Sequence, residues 1–187
     1  MRRTLLYIVG LITLTFSALA CATPSRAGDP SSSRYFVEFR ARDGISGHTY
    51  LVYGKIDGRG CILRARAGGF HPYGALSETP LTLILPFPGR VGVQAADRTD
   101  PPSAIYRLYL NADTYARLVS AVKRFRQMKS GWDLLFFNCN AFAGRMAQAI
   151  GLRVPSNLEL PVDFVRDLYL LNRPYHGGTI LGALGSK

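Results

Sequence analysis

A segment made largely of small residues constrains the fold of this 187-residue chain more than any other part of it. The segment NAFAGRMAQAIG begins at the last residue of an Asn-Cys-Asn triplet, residues 138–140, and that triplet follows an apolar run. Its length and the capping residue at its start predict a helix. Its small residues would let a neighbouring element approach closely; they are Ala141, Ala143, Gly144, Ala147 and Ala149. We therefore expect a closely packed helix with Cys139 at its N-terminus.

The chain before this helix predicts mainly strands. In residues 35–42, apolar and charged side chains alternate, which indicates a half-buried strand. HTYLVYGKI and CILRARAG read as a second and a third strand, and LTLIL, VGVQAA and AIYRLYL as later ones, with Pro86 and Pro88 breaking the chain between LTLIL and VGVQAA. The predicted fold class is therefore α+β, with an antiparallel sheet and helices packed mainly on one face.

Two further helices are predicted. One begins near Asp113 as N-cap, carries an apolar stripe at spacings of three and four, and ends at Ser130-Gly131. The other begins near Pro161 and runs to about Asn172.

The Asp57-Gly58 dipeptide predicts how the second and third strands pair. An Asp-Gly pair between two strand segments is a strong signal for a two-residue hairpin loop. With that loop, Gly54 faces Cys61 and His48 faces Ala67. The histidine would then lie on the small, apolar face of the sheet, the face that we expect the alanine-rich helix to cover.

The N-terminus predicts export. Arg2 and Arg3 precede an apolar run over residues 5–16 and the small residues SALACA, as in a signal peptide over residues 1–22. The stretch ALAC is also similar to a lipoprotein box with Cys21 as the lipidated residue. After the signal we expect a polar linker over residues 23–34, one domain over 35–175 and a flexible Gly-rich tail over 176–187. We expect a periplasmic or cell-surface protein, soluble or lipid-anchored.

The charge favours anionic surroundings. Removing the two arginines of the signal lowers the formal net charge from +11 to +9. Such an excess suggests an anionic membrane or cell-wall polymer as a partner, although a solubilising basic surface explains it equally well. The arginines are scattered, so no nucleic acid is expected. No metal-ligand spacing and no phosphate loop is visible, so no metal and no cofactor are expected.

Cys139 and His48 are the residue types that nucleophilic catalysis requires. A thiol at a helix N-terminus lies near unpaired N–H groups, which favour the thiolate, and an imidazole can carry its proton. Asn138 and Asn140 could cap the helix or donate to an oxyanion, and Tyr50, on the same face as His48, is a candidate substrate contact.

Two other interpretations of Cys139 stay open. Cys61 and Cys139 could form a disulfide, the default for two cysteines in an oxidising compartment. The expected register puts Cys61 roughly 20 Å from His48, so Cys139 cannot bond one and approach the other. Cys139 could also be a buried, inert thiol.

The motifs resemble a known superfamily. SGHTYLVYG, followed by FNCNAFAGRMAQAIG, resembles the circularly permuted branch of the NlpC-type papain-like superfamily, which includes relatives of lecithin–retinol acyltransferase and bacterial envelope proteins. In that branch the histidine strand precedes the cysteine helix, as it does here. GGFHPYG is similar to a Gly-Phe-x-Pro segment often found after the second strand of such proteins.

The resemblance implies a permuted papain-like fold with Cys139 as nucleophile and His48 as general base. It also implies a third polar residue on the strand after the histidine, where the expected register places Ala65 and Ala67. His71 is the nearest substitute, just beyond that strand. The implied activity is a cysteine hydrolase or acyltransferase that acts on amide, ester or thioester bonds of an envelope substrate, either cell-wall peptide or lipid. The alternative is an inactive envelope protein that keeps the fold and binds through its basic surface.

Overall fold

The computed structural model describes residues 34–44, 47–58, 60–74, 85–128, 131–176 and 179–181. The predicted signal, Cys21 and almost all of the predicted linker lie outside the described residues, as does most of LTLIL. The strands are β1 (Tyr35–Arg42), β2 (His48–Ile56), β3 (Ile62–Pro72), β4 (Phe87–Gly92), β5 (Ala104–Leu110), β6 (Gly131–Trp132) and β7 (Thr179–Leu181). The helices are α1 (Ala96–Thr99), α2 (Ala112–Gln127), α3 (Cys139–Ala149) and α4 (Pro161–His176).

The strands form one antiparallel sheet with β2 at its centre. The order is β6-β4-β3-β2-β1-β5-β7. Helices α2, α3 and α4 all contribute to a single core on one face of this sheet, represented by Val122, Met146 and Leu168. The predicted fold class, α+β with an antiparallel sheet and helices mainly on one face, is confirmed.

Small residues bring α3 close to its neighbours. Ala143 and Ala147 are fully buried in the core. A Cβ atom at Gly144 would lie 2.8 Å from Cγ1 of Val154, closer than real Cβ contacts. The expectation of a closely packed helix is therefore confirmed, and this packing fixes the position of the residues at its N-terminus.

The predicted register of β2 and β3 is wrong. The connection is not a two-residue loop: the backbone N–H of Asp57 donates to Cys61 O at 2.9 Å, and the Asp57 carboxylate accepts from Cys61 N at 2.8 Å. The turn therefore closes between Asp57 and Cys61. Beside it, the pairing of β2 with β3 has a bulge at Lys55/Ile56. Gly54 consequently faces Ala65, and Tyr50 faces Gly69. Extending this register by two residues places His48 opposite His71.

Several predicted boundaries also move. The N-cap of α2 is Asn111 rather than Asp113, because its side chain already accepts from Thr114 N at 2.9 Å. Helix α2 ends before Ser130-Gly131, at Gln127. Strand β4 includes Pro88, which was expected to break the chain.

The C-terminal elements extend further than expected. Helix α4 continues past Asn172 to His176, and Thr179–Leu181, within the stretch expected to be a flexible tail, pairs with β5. Among the helices of the described residues, none has the length and hydropathy to span a membrane.

Candidate functional site

Cys139 is the first residue of α3 and its thiol is buried. Asn138 is the N-cap, and its side-chain oxygen accepts from Ala141 N at 2.9 Å. Cys139 is a free thiol, whereas Cys61 is disulfide-bonded. A Cys61–Cys139 disulfide is therefore excluded, and the thiol is available for chemistry.

Burial and local N–H groups act on this thiol in opposite directions. Burial raises the pKa of Cys139 above its ordinary value, while polar contacts with Thr49 and with the backbone N–H groups of Asn140 and Cys139 lower it; burial wins. The resting thiol is therefore protonated at neutral pH. Since Thr49 is adjacent to His48 in β2, these contacts also place the thiol at the end of the histidine strand.

A buried hydrogen bond joins the two elements that carry the cysteine and the histidine. The hydroxyl of Thr49 donates to Oδ1 of Asn140 at 2.6 Å. The side-chain nitrogen of Asn140, Nδ2, donates in turn to Glu159 O at 2.7 Å. The first turn of α3 is thereby tied to β2 on one side and to the loop before α4 on the other.

The side-chain amides of both asparagines are used within the protein. Nδ2 of Asn138 donates to Leu134 O at 2.7 Å and to Asn157 O at 2.9 Å. Both side chains are buried. The backbone N–H groups of Cys139 and Asn140, in the first turn of the helix, are then the better donors for an oxyanion. A direct oxyanion role for either amide side chain stays a prediction.

His48 is buried at the start of β2 among polar and aromatic neighbours. Its ring lies 6.1 Å, centroid to centroid, from the stacked ring of Tyr50 and 6.3 Å from His71. Burial, and after it the charges of Arg42 and His71, lower the pKa of His48 to about 3. The imidazole is therefore neutral at physiological pH, which is the form that accepts a proton.

The expectation that the alanine-rich helix covers the histidine face is wrong. Thr49 bonds to α3, and Leu51 belongs to the core beneath the helices. Because side chains alternate along a strand, His48 and Tyr50 project to the other side of β2. Within the described residues, no hydrogen bond joins the Cys139 thiol to the imidazole. The thiol contacts Thr49 on the helix side of β2, and the imidazole of the preceding residue, His48, lies on the other side.

His71 belongs to β3 instead of lying beyond it. The strand extends to Pro72, four residues past the end expected at Gly68, and this extension brings His71 beside the histidine of β2. Its Nδ1 lies 3.1 Å from Pro72 O. The position is the one at which the resemblance implies a third polar group, and the assignment of that role to His71 stays a prediction.

Asp97, in α1, is a site residue that the sequence does not reveal. Its Oδ2 lies 3.9 Å from Nε2 of His48, and its side chain is fully buried. Arg42 holds the carboxylate with an Nη2–Oδ1 distance of 3.1 Å, and Gln94 N donates to Oδ2 at 2.9 Å. The residues before it, VGVQAA, are typical of a strand, so the sequence contains no pattern that indicates a buried acid here.

Tyr50 packs beside the imidazole and is almost fully buried. Its role as a substrate contact stays a prediction. Among the described residues, no group of three or more His, Cys, Asp and Glu side chains is placed to hold a metal ion.

The fold is similar to that of the type VI secretion system effector TseH, known from a crystal structure. The TM-score is 0.50 at 17% sequence identity, and the match covers 74% of this chain and 89% of the effector chain. No family model and no curated protein sequence matches the chain. At this identity the likeness shows the fold alone. In this chain the histidine strand β2 precedes the cysteine helix α3, as expected.

Proposed function

We propose that the protein is an exported cysteine hydrolase or acyltransferase of the permuted NlpC-type branch. One observation carries the proposal: the Thr49–Asn140 hydrogen bond holds the N-terminus of α3, with its free thiol, against the end of the strand that begins with His48. The implied substrate is an amide, ester or thioester of the envelope, in cell-wall peptide or lipid. The signal-like N-terminus and the positive charge support that location.

The chemistry starts from a neutral pair. As the Cys139 sulfur attacks the substrate carbonyl, the imidazole of His48, once turned from the other side of β2 towards the thiol, takes the thiol proton and a carbon–sulfur bond forms. The backbone N–H groups of Cys139 and Asn140 donate to the tetrahedral oxyanion. The bond to the leaving group then breaks, and His48 returns the proton to that group, which leaves a thioester on Cys139.

The second half of the reaction regenerates the thiol. Water or an acceptor attacks the thioester carbonyl, and His48 takes the proton of the attacking group. The carbon–sulfur bond breaks and the proton passes to sulfur. With water the product is a free acid, and with an acceptor it is a transferred acyl group.

Asp97 supports the histidine in both halves. A proton on Nε2 would face Oδ2 of Asp97, leaving Nδ1 with the lone pair that accepts the thiol proton. The carboxylate would also stabilise the imidazolium when it forms. The separation of 3.9 Å closes to a hydrogen bond with a small movement of either side chain, as is common when a substrate binds.

One observation favours a second function. In the resting structure the thiol is buried and makes no hydrogen bond with the imidazole, so an envelope protein that keeps the fold without the reaction is the alternative. Such a protein would bind an anionic polymer or membrane through its basic surface. Its binding would not depend on Cys139.

A substrate panel distinguishes the two functions. The wild type and a Cys139→Ala variant are incubated with a phospholipid, an acyl thioester and a cell-wall peptide, and products are measured by mass spectrometry. Turnover of any of them by the wild type, lost in the variant, supports the enzyme. Absence of turnover across the panel, with equal binding of both proteins to cell-wall polymer or vesicles, supports the binding protein instead.

A further inference from the structure

The loop before α3 exposes three large apolar side chains at its tip. Asp133 and Phe137 form a bridge that closes the loop, and Oδ1 of Asp133 accepts from Leu135 N at 3.1 Å and from Phe136 N at 2.6 Å. Leu134 and Leu135 are exposed, and Phe136 is 77% exposed. Tight turns usually carry Gly, Asn, Asp or Ser at such positions. A rigid turn that holds Leu-Leu-Phe in solvent therefore indicates a binding surface.

The loop before α4 exposes two more large apolar side chains. Leu158 and Leu160 are 64% and 69% exposed. Local hydrogen bonds shape this loop as well: Ser156 N donates to Glu159 Oε1 at 3.2 Å, and Leu158 N donates to Ser156 Oγ at 3.2 Å. Both leucines therefore project from an ordered turn.

Hydrogen bonds join the two loops into one surface. Nδ2 of Asn157 donates to Leu135 O at 3.0 Å, and Nδ2 of Asn138 donates to Asn157 O at 2.9 Å. Asn138 is the N-cap of α3, so this surface borders the helix end that carries the thiol. We call it the apolar rim; it consists of Leu134, Leu135, Phe136, Leu158 and Leu160.

The charge of the whole chain favours an anionic partner, whereas the charges beside the apolar rim are mixed. Arg145 is exposed and its guanidinium lies 4.8 Å from the ring centre of Phe137, at the base of the first loop. The Asp133 carboxylate accepts two backbone N–H groups, and the pKa of Glu159 is raised, chiefly by burial and also by the charges of Asp167 and Asp163. The whole chain carries a net charge of +11.

We propose that the apolar rim docks on an anionic phospholipid membrane and inserts its leucines and Phe136 between the lipid headgroups. The rim side chains project into solvent instead of lining a groove, which suits insertion into lipid. Docking would hold the N-terminus of α3 at the lipid–water interface, where acyl esters are found. It adds a partner to the proposed function and does not itself require a reaction at Cys139.

The chain contains a built-in reporter for this docking. Trp132 is the single tryptophan of the sequence and directly precedes the first loop. The full chain is mixed with vesicles of phosphatidylglycerol and phosphatidylethanolamine that carry brominated acyl chains, which quench a tryptophan at the bilayer. Because the readout is local to Trp132, membrane attachment through the apolar N-terminal run does not by itself produce it.

We expect brominated anionic vesicles to quench the wild type more than brominated phosphatidylcholine vesicles do. Phe136→Ser should raise the lipid concentration for half-maximal quenching by about tenfold, and adding Leu158→Ser should raise it further, since each removes a large apolar side chain from the bilayer. The matched control is Leu63→Ser: Leu63 is 67% exposed but lies on β3. Circular dichroism should show that all variants fold, because the substituted side chains are exposed.

Three outcomes separate this inference from the proposed function. Cys139→Ala that is quenched like the wild type supports docking whether or not the enzyme is active. Equal quenching of the wild type and the rim variants overturns the docking surface. Absence of quenching, together with a wild-type dimer that the rim variants abolish in gel filtration, overturns it in favour of a second copy of the chain.

Discussion

Oδ2 of Asp97 lies 3.9 Å from Nε2 of His48, with Arg42 and the backbone of Gln94 fixing the carboxylate on its other side. Asp97 lies in the short helix α1, which follows β4. It therefore reaches His48 from outside β2 and β3, the strands in which the resemblance places the histidine and the third polar residue. A buried carboxylate in this position can orient the imidazole and stabilise its charged form. It gives the site an orienting group whether or not His71 takes part.

Replacing Asp97 should impair the chemical step more than substrate binding. We expect Asp97→Asn to lower kcat by roughly tenfold to a hundredfold with KM little changed, at or below the usual contribution of general base catalysis. The matched control is Asp100→Asn, because Asp100 is exposed and lies 4.0 Å from the same Arg42. Steady-state kinetics on the substrate identified by the panel provides the measurement.

This substitution also removes the nearer carboxylate from the buried Arg42 and leaves it only the exposed Asp100 at 4.0 Å. The cost in the free energy of unfolding should be about 3–5 kcal/mol, so kinetics must be measured at a temperature where circular dichroism shows a folded variant. An Asp97→Asn enzyme that is folded and has the kcat of the wild type would rule out a positioning role.

Gly69 leaves the space that the imidazole occupies. A methyl group there would overlap Nε2 of His48 and lie 2.9 Å from its Cε1. At the neighbouring Gly68, the nearest atom to an added Cβ is 3.6 Å away. We therefore expect Gly69→Ala to displace the imidazole and reduce kcat at least about tenfold, and Gly68→Ala to keep near wild-type activity. Equal activity of the two variants would show that the position of the ring is unimportant.

The Thr49–Asn140 hydrogen bond should contribute to stability and to the placement of the thiol. Thr49→Val leaves Oδ1 of Asn140 buried without this donor, which should cost about 1–3 kcal/mol in denaturant unfolding. Thr99→Val is the control, since the Thr99 hydroxyl is exposed. If Thr49→Val lowers the free energy of unfolding no more than Thr99→Val does, this hydrogen bond does not stabilise the contact of α3 with β2.

His48 should make the folded state sensitive to acid. Its pKa is about 3 in the folded protein against an ordinary value of 6.5, so below pH 6.5 the unfolded chain binds a proton that the folded chain does not. Stability should therefore fall as the pH decreases from 6.5 towards 3, with up to about 1.4 kcal/mol per pH unit from this group, and be unaffected by it above pH 6.5. Urea unfolding of the wild type and of His48→Gln at pH 7, 6, 5 and 4 measures the difference in slope. If the free energy of unfolding depends on pH equally in the wild type and in His48→Gln, the imidazole is not held neutral in the folded protein.

Local pattern predicted the elements of the site better than their contacts. His48 at the start of a strand and Cys139 at the start of an alanine-rich helix were both predictable, because alternation and capping are local signals. The register was not, since the turn closes through the Asp57 carboxylate at Cys61 and shifts every pair that follows. His71 was placed outside its strand because the glycines of AGGF were read as a turn, whereas β3 runs on to Pro72.

Asp97 could not be predicted because its role is entirely tertiary. A four-residue helix has no periodicity to read, and an acid between alanine and arginine resembles any surface residue. Only the fold brings Arg42 and His48 to it. The direction in which His48 projects was likewise set by which side of β2 the helices cover.

Whether Cys139 forms a thioester decides whether the proposed chemistry takes place. The native protein is mixed with p-nitrophenyl acetate, nitrophenol release is followed by stopped flow, and the acylated residue is located by mass spectrometry of the peptides. We expect a burst of about one nitrophenol per chain, as acyl-enzyme accumulates, with the acetyl group on the peptide that contains Cys139. The burst should be much slower in His48→Ala and absent after denaturation. Acetylation only of lysines, or acylation of Cys139 at the same rate with and without His48, would contradict it.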